Sequence, residues 1–250
     1  MENFKNAFLT ALVALGIPAV FTVSTRANMQ ANLSPAPEDA IVLFDGADFS
    51  NWTDQSGNPV DWKIIDGVME VVPKTKADYP GPKPKLRGII TKQNFQDFHL
   101  HVEFNVPNTK NTNSGIYLQR RYEVQIVDSY GKEFRTGMCG ALYKQKAPDR
   151  NVCKKPGQWQ TYDIIFRAAR FEQKGEQLKK VENARITVLH NGIVIHNNVL
   201  ILDKTGNGRP EGPEPGPILL QDHGSRLRYR NIWIVPLDKP SQPGHTGLKI

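Results

Sequence analysis

The stretch Asn113–Asp128, NSGIYLQRRYEVQIVD, decides how the chain is to be read. Within it Tyr122, Val124 and Ile126 alternate with Glu123 and Gln125. Successive side chains of a strand leave opposite faces, so the three apolar residues enter a core while the two polar ones stand together on the other side. That polar side faces either solvent or a cleft. The segment is expected to run as two strands, or as one strand bent near Arg120 and Arg121.

The same period of two recurs outward from this segment. In FHLHVEFNV (98–106), Phe98, Leu100, Val102, Phe104 and Val106 alternate with His99, His101, Glu103 and Asn105, which gives one core face and one polar face. DWKIIDGVMEVV (61–72) and ARITVLHNGIVIHNNVLI (184–201) read as hairpins around Asp66-Gly67 and Asn191-Gly192, dipeptides that accept the positive φ angles of tight turns. Further strands are expected in IVLFD (41–45), RGIITKQ (87–93), WQTYDIIFRAARF (159–171), ILLQDHG (218–224) and LRYRNIWIVPL (227–237). PKTKADYPGPKPK (73–85) is a loop, since its prolines lack the donor that a central ladder requires, and it is placed to overhang a cleft. Ten to twelve strands with almost no helical period indicate an all-β sandwich of two antiparallel sheets.

At 250 residues, with 39 % hydrophobic and 23 % charged residues, the chain has the composition of a folded soluble protein and the length of one large all-β domain. The N-terminus differs from the rest. Lys5 precedes the apolar run AFLTALVALGIPAVFTV (7–23), which ends in small residues around Ala27 and Ala31, the pattern of a secretory signal. The expected organisation is a signal peptide over 1–27, a flexible leader over 28–40, one domain over 41–236 and a polar tail over 237–250, with the product exported to the periplasm or beyond. No later segment is apolar enough to span a bilayer, so no stable membrane insertion is expected after cleavage.

Two cysteines, Cys139 and Cys153, would reach an oxidising compartment together. A bridge between them closes a short loop worth about 3 kcal/mol; a pair of free buried thiols is the other possibility. Without a histidine pair they make a poor zinc site, and no compact run supplies the oxygen ligands of a structural Ca²⁺, so no metal or other cofactor is expected. The formal net charge of +7 permits attraction to polyanions. Its basic residues are spread, densest in KQKAPDRNVCKK (144–155) and RLRYR (226–230), with no nucleic-acid motif around them.

Several fragments together resemble one family. LFDGADFSNW, WKIIDGVMEV, GIITKQNFQDFHLHVEF, NSGIYL, YEVQIVD, TGMCGALY, KPGQWQTYDI, VLHNGIVI, ILLQDHG and RYRNIWI, in this order from about Ile41 to Pro236, look like the blocks of the 3-keto-disaccharide hydrolase family. The resemblance implies a concanavalin A-like jelly roll with one sheet curved into a carbohydrate groove. It also implies export, and action on sugars whose C3 hydroxyl has been oxidised to a ketone. One departure stands out: Trp159-Gln160 replaces a Trp-Asn pair, so Trp159 is the safer residue to carry over.

Sugar recognition needs polar groups for paired hydroxyls and aromatic faces for the apolar side of a pyranose. Glu123, His223 and Arg230 are the candidate catalytic groups, expected to converge in one hollow of the sheet. Asn113, Ser114, Gln125, Asp128, Tyr143, Trp159 and Gln221 are the candidate sugar-contacting residues. In a 3-keto sugar the ketone acidifies the C2 proton, and its removal gives an enolate that expels the glycosidic oxygen. Glu123 or His223 could be the base, and Arg230 or Gln125 the oxyanion donor. A classical glycosidase needs two carboxyls about 5 to 9.5 Å apart, and Glu123 and Asp128 differ in strand parity. The alternative is a lectin-like module that binds sugar without turnover. Protein partners are not legible.

Overall fold

The structure is a computed structural model and describes residues 34–74, 76–78, 81–82 and 84–237. The signal expected over 1–27 lies outside these residues, as does the tail beyond residue 237. In chain order the strands are β1 (Ile41–Phe44), β2 (Trp52–Asp54), β3 (Lys63–Ile65), β4 (Val68–Glu70), β5 (Gly88–Thr91), β6 (Phe98–Asn105), β7 (Asn113–Leu118) and β8 (Tyr122–Val127). They continue with β9 (Trp159–Arg167), β10 (Arg170–Lys174), β11 (Gln177–Glu182), β12 (Ala184–His190), β13 (Ile193–Ile201), β14 (Leu219–Gln221) and β15 (Arg228–Pro236). A single 3-10 turn, Lys76–Asp78, interrupts the proline-rich loop.

Both predicted hairpins form. Asp66 and Gly67 turn β3 into β4, and Asn191 and Gly192 turn β12 into β13, all four with positive φ. The opening stretch forms two strands, β7 and β8, joined through Gln119 and Arg120, which take the same left-handed conformation at φ 51° and 55° without being glycine.

Eight strands form the larger sheet in the order β13-β12-β9-β6-β15-β4-β3, with β1 also on β15. The first residues of β15, Arg228 and Tyr229, pair with β4, and after a bulge Ile232, Trp233 and Ile234 pair with β1. Five strands form the smaller sheet, β2-β5-β14-β7-β8, and β10 and β11 stand apart as a hairpin. The sheets enclose one core. Leu100, Val102, Phe104, Tyr162, Ile164 and Phe166 enter it from the larger sheet; Ile116, Leu118, Tyr122, Val124, Ile126 and Leu220 enter from the smaller. Burying each such side chain contributes about 1.5–3 kcal/mol.

Fifteen strands among the described residues exceed the ten to twelve expected. The excess lies in three-residue strands and in the β10–β11 hairpin, whose second strand is exposed at every position and so carries no alternation of hydrophobicity.

On the smaller sheet the face away from the core carries Asn113, Gly115 and Tyr117 from β7, Glu123 and Gln125 from β8, and Leu219 and Gln221 from β14. Gly115 pairs with Gln125, and Tyr117 pairs with both Glu123 and Leu219. This second face is not open to bulk water. Glu123 and Gln125 are each 3 % exposed, because the loop after β13 folds back over the β7–β8 hairpin and ties to it through Thr205 N–H donating to the Arg121 carbonyl.

Candidate active site

The carboxyl of Glu123 lies on this covered face. The Tyr117 hydroxyl donates to its Oε2 at 2.6 Å, and the Glu123 backbone N–H donates to Thr205 Oγ1 at 2.6 Å. Burial pushes the Glu123 pKa up to about 7, against the Tyr117 hydrogen bond, which favours the charged form. Gly115 makes the placement possible: a Cβ there would stand 2.4 Å from Glu123 Oε1, so only glycine lets the carboxyl lie across β7. On the other side, a Cβ on Gly206 would fall 3.5 Å from Oε2 and 3.3 Å from the Tyr143 ring, so this loop glycine packs against both.

Beside the carboxyl, Gln125 and Tyr143 open onto a cavity of about 930 Å³. Its wall includes Asn113 and Asp128, and the segment 108–112 forms one rim. Two buried acceptors are unpartnered, Asn113 Oδ1 and, from β14 on the same face, Gln221 Oε1. Gln221 is only 5 % exposed, so an acceptor without a donor is a standing cost there, removed when a ligand hydroxyl donates to it. A face offering a poised carboxyl, two phenols and three amides, two of them with idle acceptors, fits a polyol better than an apolar ligand.

A family model described as the 3-keto-alpha-glucoside-1,2-lyase-like domain matches residues 39–235. The chain belongs to this family. Among solved structures, a candidate glycosyl hydrolase from Parabacteroides distasonis ATCC 8503 is 34 % identical, with a TM-score of 0.68 over 91 % of this chain and 100 % of its own. A second from the same organism is 26 % identical, with a TM-score of 0.52 over 79 % of this chain and 99 % of its own. A third, at 18 % identity and a TM-score of 0.56 over 80 % of this chain and 95 % of its own, shares the fold. A search of curated proteins returned no match. Family and neighbours make this 3-keto-alpha-glucoside-1,2-lyase-like domain a carbohydrate-active, hydrolase-like one, and its two-sheet jelly roll is the expected fold.

In this 3-keto-alpha-glucoside-1,2-lyase-like domain the sequence-predicted residues divide. Glu123, Asn113, Gln125, Asp128, Tyr143 and Gln221 share one face or the cavity beside it. The expected convergence of Glu123 with His223 and Arg230 does not occur. His223 is exposed beyond the end of β14, where the strand has already finished. Arg230 lies on the outer face of the larger sheet, its Nε donating to Glu103 Oε2 at 2.7 Å and its guanidinium 4.1 Å from the centre of the Trp159 ring. Trp159 is therefore also remote from the cavity, and parity explains both: each alternates with core residues of a strand in the other sheet.

Ser114 faces the core, donating to the Gln221 carbonyl at 2.7 Å and meeting the Tyr229 hydroxyl at 2.8 Å. Gln160 is wholly buried, its Oε1 accepting from Lys154 N–H at 2.9 Å, so the Trp-Gln departure does not touch the site. Cys139 and Cys153 stand as free, buried thiols, Cys139 Sγ meeting the Tyr162 hydroxyl at 3.1 Å. The neighbouring Cys139 draws Cys153 down to about 7, while burial pushes Cys139 up.

Sequence reading missed Tyr117, Gly115 and Thr205. The first two were accessible, since the alternation in NSGIYL puts them on one face with Asn113. Thr205 was not, because it reaches Glu123 only through a Pro/Gly-rich loop without period. Among the described residues no group of three or more histidine, cysteine or acidic side chains is gathered as metal ligands would be.

Proposed function

We propose that the domain cleaves the glycosidic bond of 3-keto-glycosides, with Glu123 as the base that removes the C2 proton. The observation that carries this reading is a carboxyl held near neutrality on the same sheet face as Gln125, which lines a sugar-sized cavity. At that pKa the group is substantially ionised at neutral pH, yet basic enough to take a carbon-bound proton made acidic by the adjacent ketone. Electrons from the C2–H bond form the enolate, whose oxygen needs a donor; the amide of Gln125 is the candidate, since the single proton of the Tyr117 hydroxyl is given to Glu123. The enolate then reforms the ketone and expels the C1 oxygen, which takes a proton from Tyr143 or from the newly protonated Glu123. Water adds to the resulting C1=C2 double bond, so the net reaction is hydrolysis. His223 and Arg230 have no part in this scheme. The domain is also proposed to act after export, on the strength of the N-terminal pattern.

Purified protein incubated with a 3-keto-disaccharide and with the unoxidised sugar tests the reading. The expected result is cleavage of the keto sugar alone, lost in Glu123→Gln. Saturable binding with no turnover of either sugar would instead favour the lectin-like module, an outcome consistent with Glu123 being only 3 % exposed.

A further inference from the structure

Segment 108–111 is a wall between two cavities, the one of about 930 Å³ beside Gln125 and a second of about 900 Å³ bordered by Glu70, Arg226 and Arg228. Cations from separate parts of the chain gather around it: Lys110 on the wall itself, Lys132 and Arg135 on the first cavity, Arg226 and Arg228 on the second. Among the described residues only two acidic groups line the same space, and both are engaged. Asp128 is held by Lys132 at 3.0 Å, and Glu70 by Arg226 at 3.3 Å and Arg228 at 2.8 Å. Five cations against two carboxylates leave an excess of three. Lys110 and Arg135 have no ion pair among the described residues, and Glu133, exposed in the same segment as Arg135, lines neither cavity. A solvated basic surface would scatter such charges. Here they ring the mouth next to the unpartnered Asn113 Oδ1.

A third cavity, of about 560 Å³, has no such excess of cations: it is lined by Asp54, Asp61, Asp78 and Asp222 against Lys74, Arg87 and Arg120.

We infer that the glycoside bound here carries an anionic group, a carboxylate or a sulfate ester, on the part that lies over the 108–111 wall, and that Lys110 and Arg135 receive it. This rests on the proposed sugar site and adds the charge class of its substrate. A guanidinium suits either anion, since its paired N–H groups match two oxygens.

The test is binding rather than turnover, so that it is separable from the proposed reaction. Calorimetry at low and at physiological ionic strength would compare a neutral glucose disaccharide, the same disaccharide with its terminal unit oxidised to the uronate, and its 6-sulfate. The acidic forms should bind about tenfold tighter at low salt, about 1.4 kcal/mol, with the advantage shrinking as salt screens it. A uronate preference without a sulfate preference identifies the carboxylate, and the converse the ester. In Lys110→Gln/Arg135→Gln the acidic-to-neutral ratio should fall towards one, and in Arg135→Glu it should invert; thermal melts confirm that both variants fold. Equal affinity for neutral and acidic sugars, no binding of either, or a preference that survives in the variants overturns the inference. In the last case the attraction is only that of a +7 chain for anions. Salt-sensitive binding with no keto-sugar cleavage would overturn the proposed reaction and leave this inference standing.

Discussion

Glu123 is held in two opposed ways, and each makes a measurable statement. Burial raises its pKa from 4.5 to about 7, so the folded protein keeps a proton that the unfolded chain releases over that interval. Its contribution to stability is therefore complete below about pH 4.5 and is lost as pH rises to about 7, on the order of 3 kcal/mol in all. Thermal melts across this window should show the slope in the native protein and its loss in Glu123→Gln. Activity should run the other way, kcat/KM rising through about pH 7 as the base ionises. Tyr117 is the counterweight, since its hydrogen bond favours the carboxylate. In Tyr117→Phe the rising limb of the pH–rate profile should move to higher pH. An unmoved limb would mean that the hydroxyl does not tune the base.

At the scale of the hairpin, β7 and β8 act as one device in which a missing side chain makes room for a reactive one. Gly115→Ala would push a methyl to within 2.4 Å of Glu123 Oε1, and the carboxyl must swing away. Turnover should fall at least tenfold with only a small change in Tm, and retained turnover would show that the carboxyl's position is not critical. Much of this hairpin was legible beforehand. Alternation at Tyr122, Val124 and Ile126 predicted which face of β8 is core, and Asp66-Gly67 and Asn191-Gly192 announced their turns. What escaped were features set by neighbours remote in sequence. Periodicity gives the face a residue takes within its own sheet, but not which sheet the strand joins; that is why Arg230 and Trp159, correctly read as facing out, were assigned to the wrong outside. Ser114 failed for a different reason, being polar yet core-facing, its hydroxyl satisfied by the Gln221 carbonyl.

Across the whole molecule the two outer faces have different tasks. The larger sheet carries a buried polar cluster in which His101 Nδ1 bonds Asp163 Oδ1 at 2.7 Å, and Glu103 accepts from Arg230 at 2.7 Å and from Asn231 at 3.0 Å. Hydrogen bonds from His101, Asn231 and Arg230 outweigh burial and bring Glu103 down to about 2, while Asp163 and Glu103 hold His101 above its ordinary value. Glu103 thus stabilises the fold above its ordinary carboxylate pKa and ceases to as pH falls towards 2; His101 stabilises it below its ordinary pKa and ceases to as pH climbs through its raised one. Glu103→Gln should lower stability by about 3–5 kcal/mol, as loss of a buried partner does, and flatten the acid limb of the melting curve. Turnover by the folded fraction should persist, and loss of catalysis in a well-folded Glu103→Gln would bring this second face into the chemistry. A last consequence belongs to β15, the final strand among the described residues, which lies in the interior of the larger sheet with β6 on one flank and β4 and β1 on the other. Until Arg228–Pro236 leaves the ribosome, β1 has no strand to pair with, the β3–β4 hairpin has no place to dock and the sheet cannot close. The nascent chain should stay protease-sensitive until this strand has emerged, and a protein cut after Leu227 should give no cooperative melt, so the strands made early wait for a late one.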